Sequence, residues 1–278
     1  YHWDLPSALQ DRGGWMNRDT TAAFADYAAI AAEKFGSRLE SIATFNEPWC
    51  ITVLSHFLGA HAPGYRDVRA TARVLPHGLG IKAMRGVGTN KNLGVVVNME
   101  KCDPASDKPE NLEAAALGDA IFNQFFLDGV LKGTYPEKVT NILEPHLPKG
   151  WRDDMATLNQ PLDWVGINYY TRFLYTADPK VPVFPFTQAR GPLEKTSVGW
   201  EIIPEALTEF LMRVSNRYPG PPIYVTENGA SETDEVKRIS FFDRHFAAMV
   251  EAKRQRVDLR GSIAWRLIDN FEWAEGYN

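Results

Sequence analysis

The chain has 278 residues, 44% of them hydrophobic and 12% aromatic, with 30 basic against 35 acidic side chains and a net charge of -5. That length allows a large buried core in a single domain over residues 1–278, and the acidic balance without any Lys/Arg block excludes nucleic acid as a partner, since the long-range field opposes a polyanion. No apolar run approaches the roughly 20 residues of a membrane-spanning helix, and Cys50 and Cys102 lack metal-ligand spacing, which argues against a membrane anchor, a disulfide framework and a zinc site and for two free thiols.

Tyr1-His2-Trp3-Asp4-Leu5-Pro6 opens the chain without an initiator Met and reads as the end of a strand already under way. Helical spacing of Phe24, Tyr27, Ala28 and Ala31 predicts an amphipathic helix over 20–35, with Asp19 as its cap and Gly36 as its stop. A strand is predicted over 41–45, running into Asn46-Glu47-Pro48, where Pro48 forbids further ladder pairing. Residues 93–98 are a continuous apolar run with β-branched Val at three positions, the pattern of a strand covered on both faces. A long helix over 112–131, ended by Gly133, precedes a strand over 163–170 and a Pro-rich surface loop over 179–192. The helix over 204–218 has Pro and Glu in its first turn, suiting the fixed φ and the helix dipole. Then come a strand over 222–226, a helix over 238–254 and a last strand over 261–267.

Strands alternating with long amphipathic helices imply an α/β fold with a parallel sheet and right-handed crossovers. Polar and aromatic residues sit at the C-terminal ends of at least five strands. A barrel gathers all its strand ends on one face, whereas a doubly wound sheet uses one crevice, so the expectation is a (β/α)8 barrel showing about six of its eight strands.

Two of those strand ends carry a glutamate: Glu47 in Thr44-Phe45-Asn46-Glu47-Pro48-Trp49 and Glu227 in Tyr224-Val225-Thr226-Glu227-Asn228-Gly229. Two carboxyls on facing walls of a pocket can cleave a glycosidic bond. Either alone is as well explained by a loop hydrogen bond. The eight tryptophans exceed what a core demands of so bulky a residue, so some are expected to be platforms for a flat ligand.

These two motifs, with Tyr1 to Pro6, Asn168-Tyr169-Tyr170, and Trp265 through Asp269-Asn270-Phe271-Glu272-Trp273, resemble glycoside hydrolase family one in matching order from end to end. That family comprises β-glucosidases and relatives on a (β/α)8 barrel. The resemblance implies Glu47 as general acid/base, Glu227 as nucleophile, Asn46 as donor to the sugar 2-hydroxyl, and Tyr170 as the residue that aligns the nucleophile, with Asn168 nearby. It further implies glycone binding by His2 and Trp3, hydrogen bonds from distal sugar hydroxyls to Glu272, and a stacking floor and wall from Trp265 and Trp273. Trp200 fits either loop packing or an aglycone contact. Taken singly, each Trp is more often a core residue, and a lone His is more often a satisfied structural one.

What the resemblance implies is a retaining β-glycosidase that needs no cofactor and no metal, acting on cello-oligosaccharides or aryl glucosides as small-molecule substrates. Glu47, where thioglucoside-cleaving relatives carry Gln, points to O-glycosides. Glu272 would repel the phosphate of a 6-phosphoglycoside. The alternative is a non-catalytic carbohydrate-binding or inert truncated barrel; a barrel lyase or isomerase would need a metal cluster or a phosphate-binding Gly loop. The family's first two strands, which carry a glycone-binding Gln and an Arg near the nucleophile, have no counterpart here, nor does its closing segment after Asn278. The expectation is therefore an internal fragment that folds poorly and has little activity alone. Residues 73–78 and the loop after Ala230 read as shorter than their family counterparts. The cytoplasm is the expected compartment, with a signal peptide left open; the preferred sugar, aglycone and oligomeric state are also left open.

Overall fold

The computed structural model describes residues 1–61, 64, 75–268, 270–273 and 276. The strands are β1 (Ser41–Asn46), β2 (Asn92–Pro104), β3 (Trp164–Ala177), β4 (Phe186–Ala189), β5 (Ile223–Asn228) and β6 (Leu259–Ala264). Five of them form a parallel sheet in the order β1-β2-β3-β5-β6, and β4 pairs antiparallel with the far end of β3. The parallel strands therefore stand side by side in chain order, without the reversal that makes the switch point of a doubly wound sheet. This is the wall of a parallel barrel, and register shifts between Ala43 and Asn46, Met99 and Lys101, and Val225 and Asn228 mark irregularities of the kind that bend a sheet.

The described α-helices are α1 (Ser7–Gln10), α2 (Arg18–Phe35), α3 (Leu75–Gly86), α4 (Pro109–Asp119), α5 (Phe125–Lys132), α6 (Glu137–Leu143), α7 (Trp151–Leu158), α8 (Pro204–Arg217) and α9 (Glu235–Arg254), and a π-helix covers Cys50–Phe57. One row of the sheet, Val95, Val165, Ile223 and Leu259, runs through successive register partners and is buried throughout. It belongs to the same cluster as Leu207, Phe210, Leu211 and Val214 of α8, and burial of such a row is the main driving force for the fold. On the other face the side chains are small where strands crowd. A Cβ at Gly166 would meet Val96 and Thr226 at 2.7 Å each, so glycine is required for these three strands to close on one another.

Several predicted boundaries move. The cap of α2 is Asn17, whose side chain accepts from the backbone N–H of Asp19, so Asp19 lies in the first turn instead. The buried face of α2 is Thr20, Thr21, Phe24, Ala28 and Ala32, while Tyr27 is 63% exposed and Ala31 only partly buried. The long helix exists, but a π-helical turn over Ala120–Gln124 separates α4 from α5; Gly133 ends it in the left-handed conformation at φ 67°. The Pro-rich stretch contains β4, because β3 runs on to Ala177 and offers it an edge. The last strand stops at Ala264, short of Leu267.

The opening residues are not a strand, yet Tyr1 makes both bonds of a parallel partner of Phe45: its amino group donates to Thr44 O at 2.6 Å and its carbonyl accepts from Asn46 N at 2.9 Å. Of residues 73–78, Leu75 to Gly78 start α3, and residues 73 and 74 lie outside the described residues. No described helix is long and apolar enough to cross a membrane. Cys50 and Cys102 are both free thiols.

Candidate active site

Glu47 stands where β1 becomes a helical turn. Its N–H still donates to Val96 O of β2 at 3.0 Å, while its carbonyl already accepts from Cys50 N and Ile51 N. Joining the two states within one residue forces φ to 51°, a left-handed conformation that costs a non-glycine residue on the order of 1 kcal/mol. That local strain fixes where the carboxyl emerges.

On β3, two residues apart on one face of the strand, Asn168 and Tyr170 hold the two carboxyls. The Asn168 amide donates to Glu47 Oε1 at 2.7 Å and to Asn46 Oδ1 at 3.1 Å, and its own oxygen accepts from Thr226 Oγ1 at 2.6 Å. Tyr170 donates its phenolic hydrogen to Glu227 Oε2 at 2.6 Å. Asn168 and Glu227 are register partners in the β3–β5 ladder, so the sheet itself sets their neighbourhood. Asn46 also reaches His2, with its amide nitrogen 3.1 Å from the imidazole Nε2.

The rim is aromatic. Trp3 stacks on Trp273 with ring centroids 4.8 Å apart, His2 lies 5.8 Å from the same ring, and His61 meets Trp3 edge-on. Trp200 faces Tyr170 at 5.4 Å, which places it beside the Glu227 wall. Its loop is held by Glu201, fully buried, which pairs with Arg172 at 2.7 Å and accepts from Leu193 N at 2.6 Å. Trp265 is anchored by its N–H to Asn228 O, and its carbonyl occupies the space a Cβ on Gly229 would need, which makes glycine obligatory there. Glu272 is near enough for its charge to act on both Glu47 and Glu227, but one of its oxygens accepts from Arg266 at 2.6 Å and from Asn270 at 3.3 Å. Asp269 of the same motif lies outside the described residues.

Burial dominates the electrostatics. Desolvation raises the Glu47 carboxyl above the ordinary carboxylate range, against the hydrogen bonds from Asn168 and Cys50. Desolvation, and next the charge of Glu47, push Glu227 up to about 8, with the Tyr170 hydrogen bond pulling the other way. At neutral pH the pair thus retains at least one proton, which is the one-neutral, one-charged or doubly neutral condition of carboxyls sharing a dry pocket. Among the described residues no cluster of three metal-ligating side chains occurs.

The residues that the sequence nominated are therefore brought to one end of the sheet, with Trp265 attached there through its backbone. Sequence reading passed over Thr226, Cys50, His61, Glu201 and Arg266. Thr226 was within reach, since it adjoins Glu227 in the same motif; the pairing of Glu201 with Arg172 depends on a loop meeting β3 and leaves no local signal.

A parallel barrel wall with two glutamates at its strand ends, bracketed by an Asn and a Tyr, belongs to the glycosidase class of barrels. The profile of Glycosyl hydrolase family 1 matches residues 1–278, and the chain belongs to that family. Over its whole length it is 37% identical to Beta-glucosidase A of Thermotoga maritima, of which it spans 66%, and 38% identical to a Beta-glucosidase of an Agrobacterium species, of which it spans 64%. The solved family 1 b-glucosidase from Thermotoga maritima superposes with a TM-score of 0.95 over all of this chain and 66% of that one, at 37% identity. This places the five parallel strands within a (β/α)8 barrel of which the chain supplies a part.

Proposed function

We propose that the chain carries the reacting pair of a retaining β-glycosidase acting on terminal β-glucosyl residues of small glucosides, with Glu227 as nucleophile and Glu47 as general acid/base. The observation that carries this reading is the bracketing of both carboxyls by one strand, Asn168 on Glu47 and Tyr170 on Glu227. The Tyr170 hydroxyl favours negative charge on Glu227, and a charged Glu227 in turn favours a proton on Glu47. Glu227 then attacks the anomeric carbon while Glu47 gives its proton to the leaving oxygen; in the second step Glu47 takes a proton from the water that cleaves the glycosyl ester. Asn46, held by Asn168 and His2, is placed to donate to the 2-hydroxyl. The stacked Trp3 and Trp273 offer an apolar face to the sugar ring. Glu272, with one oxygen engaged by Arg266, has the other for distal hydroxyls. Trp200, beside Tyr170, is on the aglycone side. The relatives' names support a glucoside as the substrate.

The test is hydrolysis of p-nitrophenyl β-D-glucoside by the protein and by its Glu227→Ala variant with and without azide. Loss of turnover in the variant, and its return with an α-glucosyl azide as product, assigns the nucleophile and the retaining course. A folded protein carrying the complete barrel and inactive on glucoside, galactoside and fucoside overturns the reading in favour of a sugar-binding barrel.

A further inference from the structure

The two oxygens of Glu47 have unlike partners. Oε1 accepts an amide N–H from Asn168 at 2.7 Å, and an amide nitrogen can only donate. Oε2 accepts from the Cys50 thiol at 3.1 Å, and a thiol is a weak donor and also a weak acceptor whose hydrogen rotates freely. The thiol is itself held: Asn98 Nδ2 donates to Cys50 Sγ at 3.6 Å, and the Cys50 N–H donates to Glu47 O, locking the residue one turn beyond the carboxyl.

We propose that Cys50, anchored by Asn98, is a positioning residue that lets Glu47 Oε2 carry and release the proton of the proposed reaction. The inference rests on Glu47 as the acid/base. A proton on Oε1 would face the Asn168 N–H, hydrogen against hydrogen. A proton on Oε2 meets no such conflict, because the S–H turns away. In the first step the Oε2–H bond breaks as the leaving oxygen gains the proton, and the S–H swings back to donate to the new carboxylate. In the second, Oε2 regains a proton from water and the S–H turns away again. The thiol keeps its own proton throughout, since burial first, and the charge of Glu47 next, hold its titration far above neutrality.

The other groups facing Glu47 are Glu227 on β5, Tyr170 on β3, His2 through Asn46, and Glu272 with Arg266 after β6. A comparison of Cys50 variants holds these constant. The experiment is a carbon-13 NMR titration of the Glu47 side-chain carboxyl in the glutamate-labelled protein, assigned with Glu47→Gln. Losing one hydrogen bond changes a proton affinity by a factor of about three to ten, so Cys50→Ala is expected to move the Glu47 midpoint upward by roughly 0.5 to 1 on the pH scale. Cys50→Ser, a stronger donor, is expected to lower it below the wild-type midpoint. The high-pH limb of kcat/KM for a glucoside with a poor leaving group should move in the same sense. Unmoved midpoints in variants whose thermal unfolding matches wild type overturn the proposal; if Cys50→Ala does not fold, an unmoved Cys50→Ser midpoint does so alone. The titration needs no turnover. An inactive protein whose midpoints shift as expected removes the glycosidase reading and leaves the hydrogen-bond assignment, whereas an active one with fixed midpoints removes only the role of Cys50.

Discussion

Replacing Glu100 by Gln should flatten the alkaline loss of stability of this protein. Glu100 on β2 is 5% exposed, its Oε1 accepts from Tyr175 at 2.5 Å and Gln188 at 2.9 Å, and Asn123 satisfies its backbone on both sides. Desolvation pushes its carboxyl from 4.5 up to about 8, so the folded protein holds a proton that the unfolded chain releases. A folded-state midpoint raised in this way gives stability that is complete below pH 4.5 and is lost as pH rises through about 8. Between about pH 6.5 and 8 the loss is roughly 1.5 kcal/mol at about 1.36 kcal/mol per pH unit, allowing for partial ionisation of the folded state at the upper end. The Glu47–Glu227 pair, which also retains a proton at neutral pH, adds a loss of the same sign. Gln is the uncharged isostere of the protonated form and keeps the acceptor for Tyr175 and Gln188. Urea unfolding followed by tryptophan fluorescence at the two pH values should show Glu100→Gln losing roughly 1.5 kcal/mol less than wild type. Equal losses in the two proteins would refute the placement of a protonated carboxyl at Glu100.

Tyr170→Phe removes the hydrogen bond to Glu227, worth about 1.5–3 kcal/mol for a charged acceptor, so the acid limb of kcat/KM should move up by about one to two pH units and neutral-pH turnover fall at least about tenfold. An unmoved limb would show that Tyr170 does not tune Glu227. The buried histidines have the opposite sign: burial holds His77 down to about 3 and His245 down to about 4, so the stability each contributes is present above 6.5 and is lost as pH falls below it, about 2 kcal/mol apiece at about pH 5, against the gain from Glu100 over the same interval. A His245→Gln variant whose urea midpoint changes between about pH 6.5 and 5 just as that of wild type does would contradict this. Gly229→Ala drives a methyl into the Trp265 carbonyl and should lower Tm and abolish turnover together, whereas Gly86→Ala, at the end of α3 with open space around it, should leave both unharmed. Calorimetry of the two variants side by side checks it.

Both carboxyls and their strand ends could be read directly, because Phe45-Asn46-Glu47-Pro48 and Val225-Thr226-Glu227-Asn228-Gly229 each place an apolar run before a polar stop. Parallel strands covered by helices are continuously apolar, so β2, β3 and β5 were recognisable without knowing what covers them. Boundaries were less accessible. Asp19 was nominated as the cap, but the bond from its N–H to the side chain of Asn17, an Asx residue before the same run, gives that place to Asn17. β4 was invisible among prolines because it exists only by pairing with the end of β3.

By itself, the sequence determined the α/β alternation, the glutamates and the aromatic rim, since these follow from local periodicity and motif. Which residue partners which was decided by tertiary structure alone. The ladder that sets Asn168 opposite Glu227 and the bond from Glu47 N to Val96 O that accompanies its φ of 51° depend on strands far apart in the chain meeting in one register, whereas the Cys50 thiol reaches Glu47 within one local turn. The proton affinity of the pair is likewise tertiary, because desolvation is a property of everything packed around a carboxyl and of nothing beside it in the sequence.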